Sequence, residues 1–283
     1  MVFFNWYFAT IMIMKDRELK EFQQFILNWY KKNKRDLPWR RTDNPYHIWV
    51  SEIMLQQTQV ARVIPKYEVF LKRFPTIQKL AKAQLKDVLS LWQGLGYNRR
   101  GKFLYLGAKY VVENLRGVIP SEQKELQKIP GIGLYIAGAI SAFAYNQPAV
   151  FIETNIRTVF IHHFFKDVKL IHDKDLMVLI EKTLPRKKAH AWYSALMDYG
   201  TYLKSSGFSH NAKSKHYTKQ SKFEGSFRQL RAQILKMVLE KSRTEKQLKS
   251  ALKDRTEVDI QKALELLIKE KIIQKKKGKY EAV

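Results

Sequence analysis

The sequence contains no cysteine, and this absence excludes several kinds of chemistry before any motif is considered. Without thiols the chain cannot form disulfides, bind zinc through thiolates, hold an iron–sulfur cluster on cysteine ligands or use a thiol nucleophile. The histidines, including the adjacent His162 and His163, show no spacing typical of a metal site. We therefore expect no metal and no cofactor, and the lack of disulfides is compatible with a cytoplasmic protein.

Acidic residues are scarce relative to basic ones. The 283 residues include 26 Asp or Glu against 52 Lys or Arg, which gives a formal net charge of +26. Such an excess suits a polyanionic partner, with nucleic acid first and an anionic membrane surface second. Charge alone does not choose between them, because ribosome-associated and merely basic proteins share this composition.

No apolar run is long enough to span a bilayer. The most apolar segment, residues 1–14 (MVFFNWYFATIMIM), is too short, and it lacks the basic start and the small-residue cleavage site of a signal peptide. We interpret it as an N-terminal extension before a folded body that begins at Lys15, or as untranslated if the chain starts at Met14. We expect no membrane partner.

Most of the remaining sequence has helical patterning. Apolar residues recur at helical spacing through residues 15–203, glycine and proline punctuate the segments, and strand-like alternation is nearly absent. The fold class predicted is therefore mainly α. The helical patterns cover roughly residues 76–92, 100–115, 121–129, 134–145, 154–164, 173–183 and 186–202.

After residue 203 the pattern changes twice. Residues 204–223 are polar and basic without an apolar period, which indicates a linker or a loop that faces DNA. Residues 224–283 predict three helices and a hairpin turning at Gly278, with a capping box at Thr244 and Gln247, so we expect a winged-helix-like module. Its third helix is acidic, which leaves two alternatives open: the module contacts DNA, or it packs against the body or a protein partner.

Two segments suggest chemistry. In IPGIGLYIAGAI, residues 129–140, glycines one residue apart separate two helical patterns, and the amides of Gly131 and Gly133 could hold one phosphate. In residues 37–60, Glu52 lies among apolar neighbours, and desolvation should raise its pKa into the range of a general acid. The simpler alternatives are an ordinary helix connection and an ion pair of Glu52 with Arg40 or Arg41.

Considered together, the segments carry a family resemblance. LPWR, PYHIWVSEIMLQQTQV, LWQGLGY at 91–97 and IPGIGLYIAGAI occur in this order, and from about residue 20 to 203 the chain resembles the MutY-type adenine DNA glycosylases of the helix-hairpin-helix base-excision superfamily. The resemblance implies two helical lobes with DNA and a flipped adenine between them. We expect the hairpin-bearing lobe at about 40–144, and the other lobe from 15–39 with 145–203.

The resemblance also assigns catalytic roles. Glu52 is expected to protonate the departing adenine, Tyr135 to assist in the pocket, and Glu153 to stabilise the oxocarbenium-like state, with Asn155 in the same set. Bifunctional relatives of the endonuclease III type carry a Schiff-base lysine where this chain has Tyr135. We therefore expect a monofunctional glycosylase without strand cleavage.

Further positions match residues of the family that contact DNA. Gln57 and Tyr97 correspond to residues that wedge into the duplex, with Leu95 beside them, while Arg40 and Thr58 correspond to residues around the pocket and the opposite base. Outside this context the same residues would be read as a polar helix face and a turn.

Three features depart from the family. Glu153 stands where an Asp is expected, and one more methylene lengthens its reach. The four cysteines that usually hold a cluster are missing after Met197, so we predict that the basic loop 204–223 takes over contacts with phosphates. The usual Nudix-like reader of 8-oxoguanine is also missing. Its Phe-Ser-His loop recurs here at Phe208, Ser209 and His210, either as a mimic or by chance.

The resulting expectation is a monomeric enzyme that acts on duplex DNA in the nucleoid and removes adenine opposite 8-oxoguanine or guanine. Two alternatives remain open. The protein could be a mismatch glycosylase for thymine or uracil, whose relatives share the tyrosine, or a catalytically impaired DNA-binding module, which the change from Asp to Glu153 would suggest.

Overall fold

The computed structural model describes residues 16–208, 211–214 and 222–283, and within them the chain is mainly helical. The expected N-terminal extension and His210 lie outside the described residues. No helix in the described part of the chain is both long and apolar enough to cross a membrane. The α-helices are α1 Asp16–Asn33, α2 Pro45–Leu55, α3 Val60–Arg73, α4 Ile77–Ala81, α5 Leu85–Trp92, α6 Asn98–Asn114, α7 Gln123–Leu126, α8 Leu134–Tyr145, α9 Thr154–Phe164, α10 Asp173–Thr183, α11 Ala189–Ser205, α12 Phe227–Glu240, α13 Glu245–Ala251 and α14 Glu257–Lys269.

Helix boundaries agree closely with the apolar patterns. The helices predicted at 134–145, 154–164 and 173–183 are α8, α9 and α10. The pattern at 76–92 is instead two helices, because Thr76 caps α4 and the chain turns at Lys82 before α5 begins. Short 3-10 turns occupy Pro38–Arg40 and Asn211–Lys213.

The chain divides into two compact units whose boundaries differ from those expected. The first unit comprises Met1–Ile48, Ser121–Gln127 and Gly133–Lys219, and the second comprises Trp49–Pro120, Lys128–Ile132 and Gln220–Val283. Helices α7 and α8, expected in the hairpin-bearing lobe, fall in the first unit because α7 packs on α8 and α8 on α11. The C-terminal residues, expected to stand apart, belong to the second unit.

In the first unit, α11 is the central helix, with α1, α8 and α9 packed against it. Close approach of α9 and α11 requires Gly200, since a Cβ there would lie 2.4 Å from the backbone oxygen of Asn155. Gly138 serves α8 in the same way, because its Cβ would lie 2.7 Å from the Cβ of Phe151. These glycines bring the segment around residues 151–155 onto the helical core.

The C-terminal module, residues 224–283, has the predicted winged-helix-like elements. The Thr244 side chain and Gln247 form the expected capping box of α13, and Thr256 caps α14. Strands β1 Arg243–Thr244, β2 Ile273–Lys276 and β3 Lys279–Ala282 form an antiparallel sheet in the order β1-β3-β2. Gly278 has a φ of +73° in the hairpin turn, a conformation that glycine adopts without strain.

The module shares one apolar core with the helices before it. Leu85 and Leu89 of α5 are buried in a single cluster with Leu230, Ile234 and the apolar face of α14, and Tyr105 of α6 packs against this cluster. Each fully buried leucine contributes roughly 1.5–3 kcal/mol. Of the two alternatives left open, the structure therefore shows packing against the body, which by itself does not exclude a DNA-contacting face.

His163 makes the first unit sensitive to acid. Its ring is surrounded by the rings of Phe22, Phe25 and Tyr199, and Nε2 lies 3.3 Å from the Tyr199 hydroxyl. Burial first, then His162 and Lys166, lower the pKa of His163 from 6.5 to about 4. Between these pH values the unfolded chain binds a proton that the folded ring does not, so folded stability falls as the pH drops.

We expect His163→Gln to remove part of this pH dependence. Each pK unit corresponds to about 1.36 kcal/mol. After allowance for partial exposure, the free energy of unfolding of the variant should fall by about 1–2 kcal/mol less than that of the parent as the pH drops from 6.5 to 4. Urea titrations at several pH values measure this difference. Parallel stability curves for the two proteins would contradict it.

Candidate active site

Glu52 lies in the last turns of α2 and is only 4% exposed. Its neighbours along the helix, Val50, Ile53 and Met54, are buried as well. The burial expected from the sequence is therefore present, and it places a carboxyl group in an apolar setting. Of the two arginines weighed as ion-pair partners, Arg40 binds Asp198, and Arg41 binds Asp36.

The second unit holds two loops, residues 56–58 and 95–97, that contain the expected wedge residues. Gln57 has a φ of +54° and Tyr97 a φ of +48°, left-handed conformations that cost a non-glycine residue roughly 1–2 kcal/mol. Both side chains are exposed, Tyr97 to 41%. Such strain is common at functional sites, and the exposure leaves both side chains accessible to a ligand.

Leu95 does not share this exposure. Its side chain is 3% exposed and belongs to the core of the second unit, and this burial does not favour the expected contact of Leu95 with DNA, which stays a prediction. The backbone oxygen of Leu95 accepts a hydrogen bond from Thr58 Oγ1 at 3.3 Å. Thr58 thus ties the two wedge loops together.

Arg100, which sequence reasoning missed, joins both loops to α2. Its guanidinium stacks on Trp92 and Tyr97, 5.8 and 5.5 Å from their ring centres. Burial lowers its pKa from 12.5 to about 10, and it remains charged at neutral pH. Its acceptors are the backbone oxygens of Ile53 (2.8 Å), Met54 (3.2 Å), Gln56, Leu95 (2.9 Å) and Gly96 (3.2 Å) and the Thr58 hydroxyl (3.2 Å).

The two hairpin glycines serve different purposes. Gly131 has a φ of +84°, and a Cβ there would lie 2.6 Å from the Cβ of Phe103, so both conformation and packing require glycine. Gly133 is the N-cap of α8, and a Cβ there would meet no described atom within 4 Å. Internal packing therefore does not explain Gly133, and its backbone is open to approach from outside.

Tyr135 lies in the first turn of α8, half-buried, with its ring edge-on to Phe151 at 5.8 Å. Phe151 also stacks on Tyr193 at 4.0 Å. Glu153 follows Phe151 by two residues, so the same anchored segment of the first unit carries both Glu153 and the ring that contacts Tyr135.

Glu153 caps α9 with its own side chain. Oε1 accepts hydrogen bonds from the backbone N–H groups of Asn155 (2.7 Å) and Ile156 (2.9 Å), and Oε2 accepts from Asn155 Nδ2 at 3.2 Å. Capping usually falls to shorter side chains. Here the extra methylene is taken up by the side chain folding back onto its helix, so the longer reach expected from the sequence is not realised.

Lys204, near the end of α11, is a second residue that the sequence analysis did not single out. Burial lowers the pKa of its ammonium group, while the charge of Glu153 opposes that shift and Arg157 adds to it. A cation thus lies within electrostatic range of the Glu153 carboxylate. A lysine two residues after the predicted end of this helix at 202 was the available signal.

Arg40 occupies a buried ion pair. Its guanidinium donates to Asp198 Oδ1 at 3.2 Å and to Tyr30 Oη at 3.2 Å, and Arg35 binds the same carboxylate. With 10% of its side chain exposed, Arg40 supports the first unit from within. The expected direct contact of Arg40 with DNA stays a prediction that this geometry does not favour.

The candidate residues are thus distributed over both units. The first unit holds Arg40, Gly133, Tyr135, Glu153 and Asn155, and the second holds Glu52, Gln57, Thr58, Leu95, Tyr97 and Gly131. His210, outside the described residues, cannot be placed. Among the described residues, no group of three or more His, Asp or Glu side chains could hold a metal ion.

Comparison with known proteins shows which family model and which solved structures this chain is similar to. Residues 50–186 match the model of the HhH-GPD family, described as a superfamily of base excision DNA repair proteins. In structure, the chain resembles a thermostable thymine-DNA glycosylase, with a TM-score of 0.58 and 25% identity over 65% of this chain and 86% of that one. An endonuclease III from a non-covalent DNA complex has the same fold, with a TM-score of 0.57 and 14% identity over 67% and 87% of the two chains. Over residues 50–186 the chain is therefore similar to the HhH-GPD superfamily.

Curated relatives of this chain include adenine DNA glycosylases. The chain is 40% identical to that of Buchnera aphidicola subsp. Baizongia pistaciae over 184 residues, which cover 64% of this chain and 52% of the relative. It is 45% identical to the human protein over 151 residues, 50% of this chain and 28% of that protein. The chain spans about half the length of the bacterial relative and less of the human one. These similarities confirm the resemblance to MutY-type glycosylases.

Arg100 provides a test of how the wedge loops are held. We expect Arg100→Lys to lower the free energy of unfolding by about 2–4 kcal/mol, because an ammonium group cannot satisfy the buried carbonyl oxygens on both sides. Denaturant titration measures the change. Arg99→Lys is the matched control, at an exposed neighbour, with an expected change within about 0.5 kcal/mol. Equal stability of the two variants would contradict the role of Arg100.

Proposed function

We propose that this protein is a monofunctional DNA glycosylase that removes adenine mispaired with 8-oxoguanine or guanine. The observation that carries the proposal is the buried Glu52, which lies with Tyr135, Glu153 and Asn155 inside the matched residues 50–186. The similarity to adenine DNA glycosylases supplies the choice of base. We keep the expectation of a monomer acting on duplex DNA without a cofactor.

Glu52 is assigned the role of general acid. An N-glycosidic bond breaks more readily when the leaving base accepts a proton, and a carboxyl group in an apolar setting keeps that proton more readily than one in water. What supports this role is its burial beside Ile53 and Met54, whose backbone oxygens accept from Arg100. Arg100 would thereby hold Glu52 and the two wedge loops in fixed positions relative to one another.

Glu153 is assigned the stabilisation of positive charge on the sugar. Hydrogen bonds from two backbone amides hold its carboxylate, and Lys204 lies within electrostatic range of it. A fixed carboxylate stabilises a developing cation without reorganising as the reaction proceeds. Tyr135, whose ring contacts Phe151, would assist in the pocket, and because it is not a lysine no Schiff base and no strand cleavage would follow.

The basic loop 204–223 is assigned contacts with phosphates. Its described residues Lys213 and Ser214 are held in place, since Ile171 N donates to the Lys213 backbone oxygen at 2.9 Å and Ser214 Oγ to Asp173 at 3.4 Å. Near the start of the loop, Tyr202 lies over Tyr199 and Phe208 against His162, each half exposed. These contacts anchor the described residues of the loop.

A second candidate function is removal of thymine or uracil opposite guanine. It is favoured by the likeness to the thermostable thymine-DNA glycosylase. Single-turnover assays on duplexes carrying A·8-oxoguanine, A·G, T·G and U·G distinguish the candidates. Release of thymine or uracil without adenine would overturn the adenine assignment, and no release from any duplex would favour a DNA-binding module.

We expect Glu52→Gln to lower the single-turnover rate of adenine release by about 10²–10⁴-fold, since the amide cannot donate the proton. Affinity for the mispaired duplex should change only a few-fold. Glu68→Gln, at an exposed carboxylate of α3, is the matched control and should retain the full rate. Full activity of the Glu52 variant would refute its role as the acid.

Glu153→Asp and Glu153→Asn separate charge from capping. Both short side chains cap helices well, so the two variants should have similar thermal stability, but only Asp keeps the charge. We expect adenine release to be about 10²–10³-fold slower in the Asn variant than in the Asp variant. Equal rates would mean that Glu153 acts only as a helix cap.

A further inference from the structure

A basic groove lies between α6 and the end of α14, entirely within the second unit. We call it the module groove. Both sides supply cations, with Arg99 and Lys102 on α6 and Lys269 and Lys271 at the end of α14. Its described lining residues are Arg99, Lys102, Phe103, Leu266, Lys269, Glu270 and Lys271.

The charge of the module groove is not balanced from within. Of the described side chains that line it, Glu270 carries the acidic group, and its carboxylate is paired with Arg231 of α12. Lys102 donates to the backbone oxygen of Glu270. Burial lowers the pKa of Lys102, as do the nearby charges of Lys271 and Arg99, while the charge of Glu270 opposes this shift. Like charges held this close raise the free energy of the folded chain unless an anion neutralises them.

The groove adjoins the hairpin turn. Phe103, which lines it, packs so tightly against Gly131 that a Cβ there would lie 2.6 Å from its own Cβ. The Arg99 guanidinium lies 5.6 Å from the centre of the Phe103 ring. A DNA strand whose phosphate is held at Gly131 would therefore need to pass only the Phe103 side chain to reach Arg99, the first cation of the groove.

The module meets the wedge residues as well. Arg228, in the first turn of α12, stacks on Tyr97 at 5.8 Å, and its Nη1 donates to the Tyr97 hydroxyl at 3.2 Å. The C-terminal module thus contacts α6 at its start through Arg228 and one turn further on at Lys102. This double contact fixes the position of the groove relative to the wedge loop.

Two of the acidic residues that weigh against DNA binding, Glu257 and Glu265, lie elsewhere on α14. Glu257 and Glu265 line a different depression together with Glu245 and Lys249. Lys249 forms ion pairs there with both Glu245 and Glu257. The helix is therefore acidic at one site and basic at its C-terminal end, where Lys269 and Lys271 face α6.

We propose that the module groove binds the DNA phosphate backbone, so that the C-terminal module extends the grip of the hairpin turn along the duplex. A polyanion satisfies the four clustered cations, and the groove lies next to the turn for which a phosphate contact is expected. The inference deepens the proposed function by assigning a second DNA contact, and it rests on that function only in requiring that the protein bind DNA.

The test compares two double variants with equal loss of charge. Lys269→Gln with Lys271→Gln removes both module cations of the groove, and Lys246→Gln with Lys253→Gln removes two exposed lysines of the same module outside it. Binding to an undamaged duplex is measured by fluorescence anisotropy at several KCl concentrations. Because this readout needs no base release, it is independent of whether the protein removes adenine.

For the groove variant, we expect the salt dependence of log Kd to become shallower by about 1 to 2, and binding near physiological salt to weaken on the order of tenfold. The control variant should follow the parent protein. Unaltered thermal unfolding of both variants verifies that they fold. A salt slope equal to that of the parent, or an equal loss in both variants, would overturn the proposal.

Discussion

The second unit depends on one buried cation, the guanidinium of Arg100. It brings the last backbone oxygens of α2 together with the oxygens of two loops that are strained at Gln57 and Tyr97. Strained backbone persists only where its surroundings hold it. Here the buried guanidinium of Arg100 donates the hydrogen bonds that hold both loops, and it stacks on the ring of Tyr97. Removal of that charge would leave carbonyl groups without donors on both sides.

In the first unit, the segment that carries Glu153 is held by packing rather than by charge. Gly138 and Gly200 let α8 and α11 approach so closely that Phe151 and Asn155 have little freedom. The carboxylate of Glu153 is then positioned by the amides of α9 and by Lys204. A Glu in place of an Asp therefore need not move the charge outward, because the folded-back side chain keeps it at the helix terminus.

The C-terminal module is explained only together with the helices that precede it in the chain. As an isolated segment it has the elements of a small winged helix with an acidic third helix, but its core includes Leu85 and Leu89 of α5. Because these leucines would be exposed without it, the module is part of the second unit. Its Arg228 and Lys271 then lie beside Tyr97 and Lys102, residues more than a hundred positions earlier in the chain.

The sequence by itself determined most of the helices, the caps at Thr244 and Thr256 and the turn at Gly131, and it predicted Glu52, Tyr135 and Glu153 as site residues, because periodicity, turn residues and motif order are local properties. Local patterns could not show that Leu95 is buried, that Arg40 binds Asp198 or that Arg100 joins two loops. Only the tertiary structure decided these points, since burial and pairing depend on which distant residues fill the space around a side chain. For the same reason the unit boundaries differ from those expected: α8 and the C-terminal module belong where their apolar faces are covered, not where the chain order would place them.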